Sequence, residues 1–344
     1  MVKIGLLIQG PIDSFGKNGK SIRYSPLQIA REPDSMVNFS AVQNIEKICE
    51  RSKGIFCKTV VSTWKNENSK SLKFNADEII LLDNEEYFEA KTTLFSGPRN
   101  WNNILKQAKT IYEGTRVLKS LGCDYVIKTR TDMDLNLDLL HKAGSECFKQ
   151  NKILATNKLR NGTRYLEMDD MVLGAEVDVM LNWFGSLLSW KFYNGAHSAV
   201  MRSLLFSLNM NNLNISPKDY YSATINEASP ELSKEATHLW NNKFYTLPKK
   251  LWETVIWRGE VVDKSYYDFN AQEVEINKNL PTTDVNLFLK EQIGANWFQL
   301  LIKSQIKKII NTFLQSKRRF KNYIKPITIF RIKKKLKKIL LRKD

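Results

Sequence analysis

A short apolar run, Lys3 to Ile8, stops abruptly at Gln9-Gly10-Pro11, and the same figure recurs along the first 130 residues. Lys58 to Thr63, Glu78 to Asp83 and Asp124 to Lys128 are further short apolar or β-branched runs, each closed by polar residues. Helical spacing fills the intervals. Val37 to Arg51 carries Val37, Val42, Ile45 and Ile48 at turns of a helix. Asn100 to Leu121 carries Ile104, Leu105, Ala108, Ile111, Val117, Leu118 and Leu121 on one stripe, with Gly122 placed for a left-handed cap. Residues 12–35, rich in Gly, Ser and Pro, read as a long loop. Strands alternating with helices at this spacing predict βαβ units: an α/β, Rossmann-like chain whose mixed, mainly parallel sheet is flanked by helices.

In such sheets ligands bind beyond the carboxyl ends of the strands. Three of those ends are chemically capable: Gln9-Gly10-Pro11, Asp83-Asn84 and Thr131-Asp132-Met133-Asp134, and the pattern predicts that they converge on one crevice. Residues 1–150 hold the regular alternation. Residues 151–296 are less regular and read as an elaboration of the same domain, and 297–344 form a separate tail.

The 344 residues carry a net charge of +17, but the excess is local. From Lys303 to Asp344 there are 16 Lys or Arg against one acid, leaving 37 basic and 35 acidic groups for everything before. The body is nearly neutral. The apolar run at the N-terminus is too short for a secretory signal, and no stretch reaches the roughly 18 apolar residues of a spanning helix. The four cysteines lack CxxC spacing and the three histidines are isolated, so zinc and disulfide frameworks are not expected. A metal, if used, is expected on carboxylate oxygens.

Asp132-Met133-Asp134 supplies such oxygens. An Asp-x-Asp at a strand end can hold Mg²⁺ or Mn²⁺, which would bridge the phosphates of a nucleoside diphosphate and offset the charge on a departing diphosphate. The same tripeptide, taken alone, equally describes a solvated turn.

The ordered set Leu7-Ile8-Gln9-Gly10-Pro11-Ile12, Val61-Ser62-Thr63-Trp64, Asn103-x-x-Lys106-Gln107-x-x-Thr110 and Tyr125 to Asp132 resembles the WavE-type lipopolysaccharide-synthesis family, itself similar to GT-A-fold glycosyltransferases. The resemblance spans about residues 1–260, with Asp169-Asp170 before Gly174 and Ser229-Pro230-Glu231 consistent with it. It departs at Lys106, where the family pattern has arginine, and a lysine lacks the bidentate fork for phosphate. The second Asp of the tripeptide is also not a firm family feature, so Asp132 is the stronger metal ligand of the two.

The resemblance implies a GT-A-like glycosyltransferase with a nucleotide-sugar donor, in which 1–150 binds the donor and 151–296 the acceptor. Gln9, Gly10 and Pro11 would line base and ribose. Asn103, Lys106 and Gln107 would face the donor from one side of the long helix; a polar helix face in water has the same spacing. Arg130 would contact a phosphate or pair with Asp132 or Asp134. For a general base near the acceptor hydroxyl, Asp170 is the candidate, with Asp169 behind it; a turn or capping acid reads the same way.

In the tail, Ile329, Ile332, Leu336, Ile339 and Leu340 keep helical spacing among lysines and arginines, and Pro326 separates two segments. A basic amphipathic helix of this kind lies on an anionic membrane surface. Its regular apolar stripe argues against a nucleic-acid arm, while a helix pair packed on the domain remains an alternative. The expected picture is a peripheral protein on the inner face of the cytoplasmic membrane, glycosylating a lipid-linked or membrane-associated surface glycan of the lipopolysaccharide core, O-antigen or capsule type. The alternative is a non-catalytic assembly protein that keeps the fold.

Overall fold

The computed structural model describes residues 2–22, 32–65, 75–83, 98–156, 168–189, 196–209 and 238–263. The chain divides into two compact units, Met1–Lys278 and Asn279–Asp344, and every described residue belongs to the first.

The strands of the main sheet are β1 (Ile4–Gln9), β4 (Lys58–Trp64), β5 (Glu78–Leu82), β6 (Tyr125–Arg130), β8 (Ile153–Ala155), β9 (Leu173–Glu176) and β10 (Phe244–Thr246). They lie in the order β10-β8-β9-β6-β1-β4-β5. All pairings are parallel except those of β9, which runs against both β6 and β8. This is the mixed, mainly parallel sheet that the alternation predicts.

Period-two side-chain alternation splits the core across the two faces. Leu7, Val60 and Val126 point to one face; Ile4, Leu6, Ile8, Val61 and Ile127 point to the other. The first face is covered by α2 (Pro98–Ser120), α4 (Val177–Ser189) and α5 (Ala196–Asn209), through Ile104, Leu105, Ala108, Ile111 and Leu118 of α2. Gly114 lets α2 approach β1 closely, since a methyl group there would strike the Leu7 side chain. The second face is covered by α1 (Val42–Ser52), α3 (Leu137–Lys149) and the short α6 (Lys249–Trp252). Among the described residues no helix is long and apolar enough to cross a membrane.

α2 begins and ends within a residue or two of the predicted stripe, and Gly122 adopts φ 80° just beyond it. The expected helix from Val37 to Arg51 is different. Its first part is β3 (Met36–Ser40), which pairs antiparallel with β2 (Asp13–Lys17) inside the segment read as loop. The ribbon is at least partly open to solvent at most positions, so it shows no apolar run, and the five-residue step from Val37 to Val42 is not a helical repeat. The chain enters the helix at Ala41, whose N–H donates to the Ile12 carbonyl at 2.7 Å.

Three small strands form a second sheet beyond the end of β6. β7 (Met133–Asp134) continues from β6 and pairs with β11 (Ile256–Trp257), which turns back into β12 (Glu260–Val261). The helical tail expected over 297–344 lies outside the described residues.

Candidate functional site

Along the chain, β1 is followed in the sheet by β4 on one side, and α2 returns the chain to β6 on the other. The strand order therefore reverses at β1, the kind of switch point that opens a crevice at the carboxyl ends. The register puts three polar residues in one row there: Gln9 is level with Ser62 of β4 and Arg130 of β6. Gln9 is buried, and Thr110 of α2 donates its hydroxyl to Gln9 Oε1 at 3.0 Å. The Ser62 hydroxyl is buried with no hydrogen-bond partner.

One residue further, Gly10 adopts φ 139°, and a Cβ there would sit 2.6 Å from Thr131 Oγ1. Only glycine takes that backbone angle easily. The turn is tied to β6 on both sides: Thr131 N–H donates to the Gln9 carbonyl at 3.0 Å and its hydroxyl donates to the Pro11 carbonyl at 2.7 Å. Asp83, the third expected contributor, is not part of this crevice. β5 is two strands away at the sheet edge, and Asp83 pairs with Lys65 at 2.7 Å in solvent. Asn84 lies outside the described residues.

Asp132 is 1% exposed and held by two guanidinium groups. Arg130 donates through Nε to Oδ1 at 2.9 Å and through Nη2 to Oδ2 at 3.1 Å; Arg258 donates through Nε to Oδ2 at 2.8 Å. Burial by itself would favour the neutral acid, but the two guanidinium groups outweigh it and hold the carboxyl at about 2. Burial likewise opposes the charge on Arg130, and the Asp132 carboxylate overcomes it and raises that pKa.

Arg258 comes from the β11–β12 hairpin, 126 residues away in sequence. Arg258 and Gly259 have φ 48° and 82°, the double positive φ of a two-residue type I′ turn. The N-terminal ribbon clamps the hairpin. Gly19 N–H donates to the Trp257 carbonyl at 2.9 Å, Arg258 Nη1 donates to the Lys17 carbonyl at 2.9 Å, and Gly16 leaves room for that guanidinium. Both arginines lie over the Trp257 ring, Arg258 at 4.8 Å and Arg130 at 5.9 Å from its centroid. The indole N–H of Trp257 is buried and has no partner.

Asp134 faces a different element. Its Oδ2 accepts from Lys47 at 2.5 Å and its Oδ1 pairs with Arg51, both on α1. The two carboxylates of Asp-x-Asp are thus each enclosed by two basic side chains, on opposite sides of the strand end. These residues do not fit a divalent cation shared by Asp132 and Asp134. Among the described residues no group of three or more His, Cys, Asp or Glu is arranged to hold a metal ion. The sequence set the acids side by side without showing the four bases that surround them.

Asp169 and Asp170 are buried at the entry to β9, where Asp169 makes the contact of a turn acid. Asp169 Oδ1 accepts from the Met171 N–H at 3.1 Å, and the Asp170 carboxylate accepts from the Gln107 amide of α2. Lys128, fully buried in β6, donates its ammonium to the Asp170 backbone carbonyl. Burial pulls the Lys128 pKa down to about 8, against the raising influence of the nearby aspartates. Lys106 lies with its Nζ 5.7 Å from the centroid of the Trp64 ring, and burial lowers its pKa. Asn103 lies on α2, but its side chain is outside the described residues, as are Glu167 and Ser229-Pro230-Glu231.

The structure therefore brings Gln9, Gly10, Pro11, Gln107, Arg130, Asp132, Asp169 and Asp170 to the region of the β1 and β6 ends, and turns Asp134 away. Sequence reading missed Lys47, Arg51, Trp257 and Arg258. The two on α1 have i,i+4 spacing, and Trp257-Arg258-Gly259-Glu260 has the pattern of a tight hairpin, so a local signal existed in each case. Neither local signal says which carboxylate it meets.

No family model and no curated protein matches the chain. Solved structures of similar fold include the 4-diphosphocytidyl-2C-methyl-D-erythritol synthase of Anaerococcus prevotii DSM 20548, at 11% identity and TM-score 0.33, with 62% of this chain and 87% of that one covered. A candidate nucleotide-diphospho-sugar transferase from Desulfovibrio desulfuricans G20 aligns at 9% identity and TM-score 0.32, covering 72% and 80%. At these TM-scores the alignments carry no argument about this chain.

Proposed function

We propose that the chain is a GT-A-like glycosyltransferase that moves a sugar from a nucleotide-sugar donor to a lipid-linked or membrane-associated surface glycan. The observation that carries the reading is the row Ser62–Gln9–Arg130 at the switch point, with buried charged groups gathered just beyond it. A crevice at that point of an α/β sheet is where ligands bind, and charges kept out of water need a task or a partner.

In this reading Gln9, Gly10 and Pro11 line the base and ribose, and Lys106, Gln107 and Arg130 face the phosphates. Asn103 belongs with them by its helical spacing. Transfer breaks the bond between the anomeric carbon and the phosphate oxygen and forms one to the acceptor oxygen. Asp170 takes the proton of the acceptor hydroxyl, and the departing diphosphate keeps the electron pair of the broken bond. Asp169 fixes the turn through the Met171 N–H, and Lys128 pins the Asp170 backbone to the sheet, so the base is held by both its neighbours. The basic segment 297–344 would keep the enzyme at the anionic inner face of the cytoplasmic membrane, where a lipid-linked acceptor is found.

The test is a thermal-shift screen of the full chain, in detergent, against UDP-, GDP-, ADP- and CMP-sugars. A ligand that binds only the native state at a hundredfold excess over its dissociation constant stabilises it by about 2.7 kcal/mol. A shift with one nucleotide class, lost in Gln9→Ala, is expected. A flat screen on well-folded protein rejects the transferase and leaves a non-catalytic assembly role.

A further inference from the structure

The end of β6 carries more positive than negative charge. Arg130, Arg258, Lys47, Arg51 and Lys128 stand there against Asp132, Asp134, Asp169 and Asp170, five basic groups to four acids. A divalent cation approaching there meets carboxylate oxygens already engaged by basic side chains. A diphosphate meets the complementary charge. On the Asp132 side the guanidinium groups are also poorly hydrated: Arg130 is 21% exposed and Arg258 10%.

Resting on the transferase reading above, we infer that the donor diphosphate is neutralised by the guanidinium pair Arg130–Arg258, presented over the Trp257 ring, and not by a divalent cation held on Asp-x-Asp. Four features converge on the role. Planar guanidinium groups donate to phosphate oxygens in pairs. Asp132 keeps both groups charged and fixed in place before any ligand arrives, so little ordering cost remains at binding. The buried Trp257 N–H is a further donor at the same place without a partner. Arg258 is also held in an αL conformation, which a non-glycine residue adopts at a cost, and such strain concentrates at ligand-binding positions. In the transfer step the charge growing on the leaving diphosphate stays on its own oxygens, and these side chains balance it without accepting a proton.

Isothermal titration of the full chain with UDP, GDP, ADP and CMP, in EDTA and again in Mn²⁺, separates the possibilities. The expected result is one nucleoside diphosphate that binds in EDTA, with affinity changed less than about twofold by Mn²⁺. Arg258→Gln should weaken it about tenfold or more, the loss of one charge-assisted contact. Arg258→Lys, which keeps the charge on Asp132 but loses the fork, should fall between, and serves if the glutamine variant does not fold. Binding that requires Mn²⁺, or binding in EDTA indifferent to both Arg258 variants, overturns the inference and leaves the transferase standing. No binding of any nucleotide under either condition removes the transferase reading and this inference with it.

Discussion

Asp132 and Asp134 are two residues apart, and each sits between two basic side chains, yet the two clusters are physically unlike. The Asp132 cluster is buried: the acid is 1% exposed and its arginines 21% and 10%. At Asp134 the acid is 11% exposed, but Lys47 and Arg51 are 57% and 38% exposed. In water, long side chains gain little from pairing, because the Coulomb attraction is screened and the side chains lose freedom. In the interior the pairing is what makes the charges tolerable at all. The same three-charge arrangement is thus a structural necessity on one side of the strand end and a weak surface association on the other.

The comparison is tested most sharply by removing each acid. Asp132→Asn leaves two buried guanidinium groups facing a neutral amide, and should cost about 3 kcal/mol or more of stability. Asp134→Asn should cost about 1 kcal/mol or less. Urea unfolding with unchanged slope measures both; similar costs would dissolve the distinction.

Lys128 is a third buried charge, held by a backbone carbonyl where Asp132 is held by opposite charges. Its folded pKa of about 8 lies below the ordinary lysine value of 10.5. Below pH 8 both folded and unfolded states are protonated. Between about 8 and 10.5 only the unfolded state holds the proton, so stability rises with pH across that window. The gain is on the order of 3 kcal/mol, and should vanish from the pH dependence of Lys128→Met. On the acid side the slope has the same sign, in a lower window. Asp132, held at about 2 against an ordinary 3.8, contributes stability that is full above about pH 4 and fades as pH falls towards 2. On the order of 2 kcal/mol should be lost there in the natural chain and absent from the loss in Asp132→Asn.

The same contrast explains how much could be read without coordinates. β1, β4, β6 and α2 were legible because each buries a continuous run or a regular stripe, and β5, half-buried at the sheet edge, because its apolar residues are continuous; hydrophobic period is a local property. The β2–β3 ribbon was not, because it is at least partly open to solvent at most positions and shows no apolar run. In the site, Gln9, Arg130 and Asp132 stood out as polar residues at the ends of apolar runs. What they touch did not, since the Asp132–Arg258 pair spans 126 residues and depends on a hairpin folded back onto β7. An Asp-x-Asp reads as a cation site only while its surroundings are unknown. Lys47 and Arg51 on one face of α1, and Arg258 at a hairpin tip, occupy the carboxylate oxygens that a cation would need.

The smallest expected effect probes that difference through salt. Double-mutant cycles for Lys47→Ala with Asp134→Asn, and for Arg258→Gln with Asp132→Asn, measure each pair's coupling free of the rest of the chain. At low salt the surface pair should couple by about 0.5 kcal/mol and the buried pair by several times that. At 1 M salt the screening length falls to about 3 Å, comparable with the 2.5 Å separation of Lys47 and Asp134, and the Lys47 side chain is 57% exposed, so the surface coupling should approach zero. Counterions do not reach between Arg258 and Asp132, whose side chains are 10% and 1% exposed, and that coupling should persist. A buried coupling that fell in parallel would mean that water and ions already enter the β6 end, and a site open to ions in that way would also be open to the divalent cation that its charge otherwise turns away.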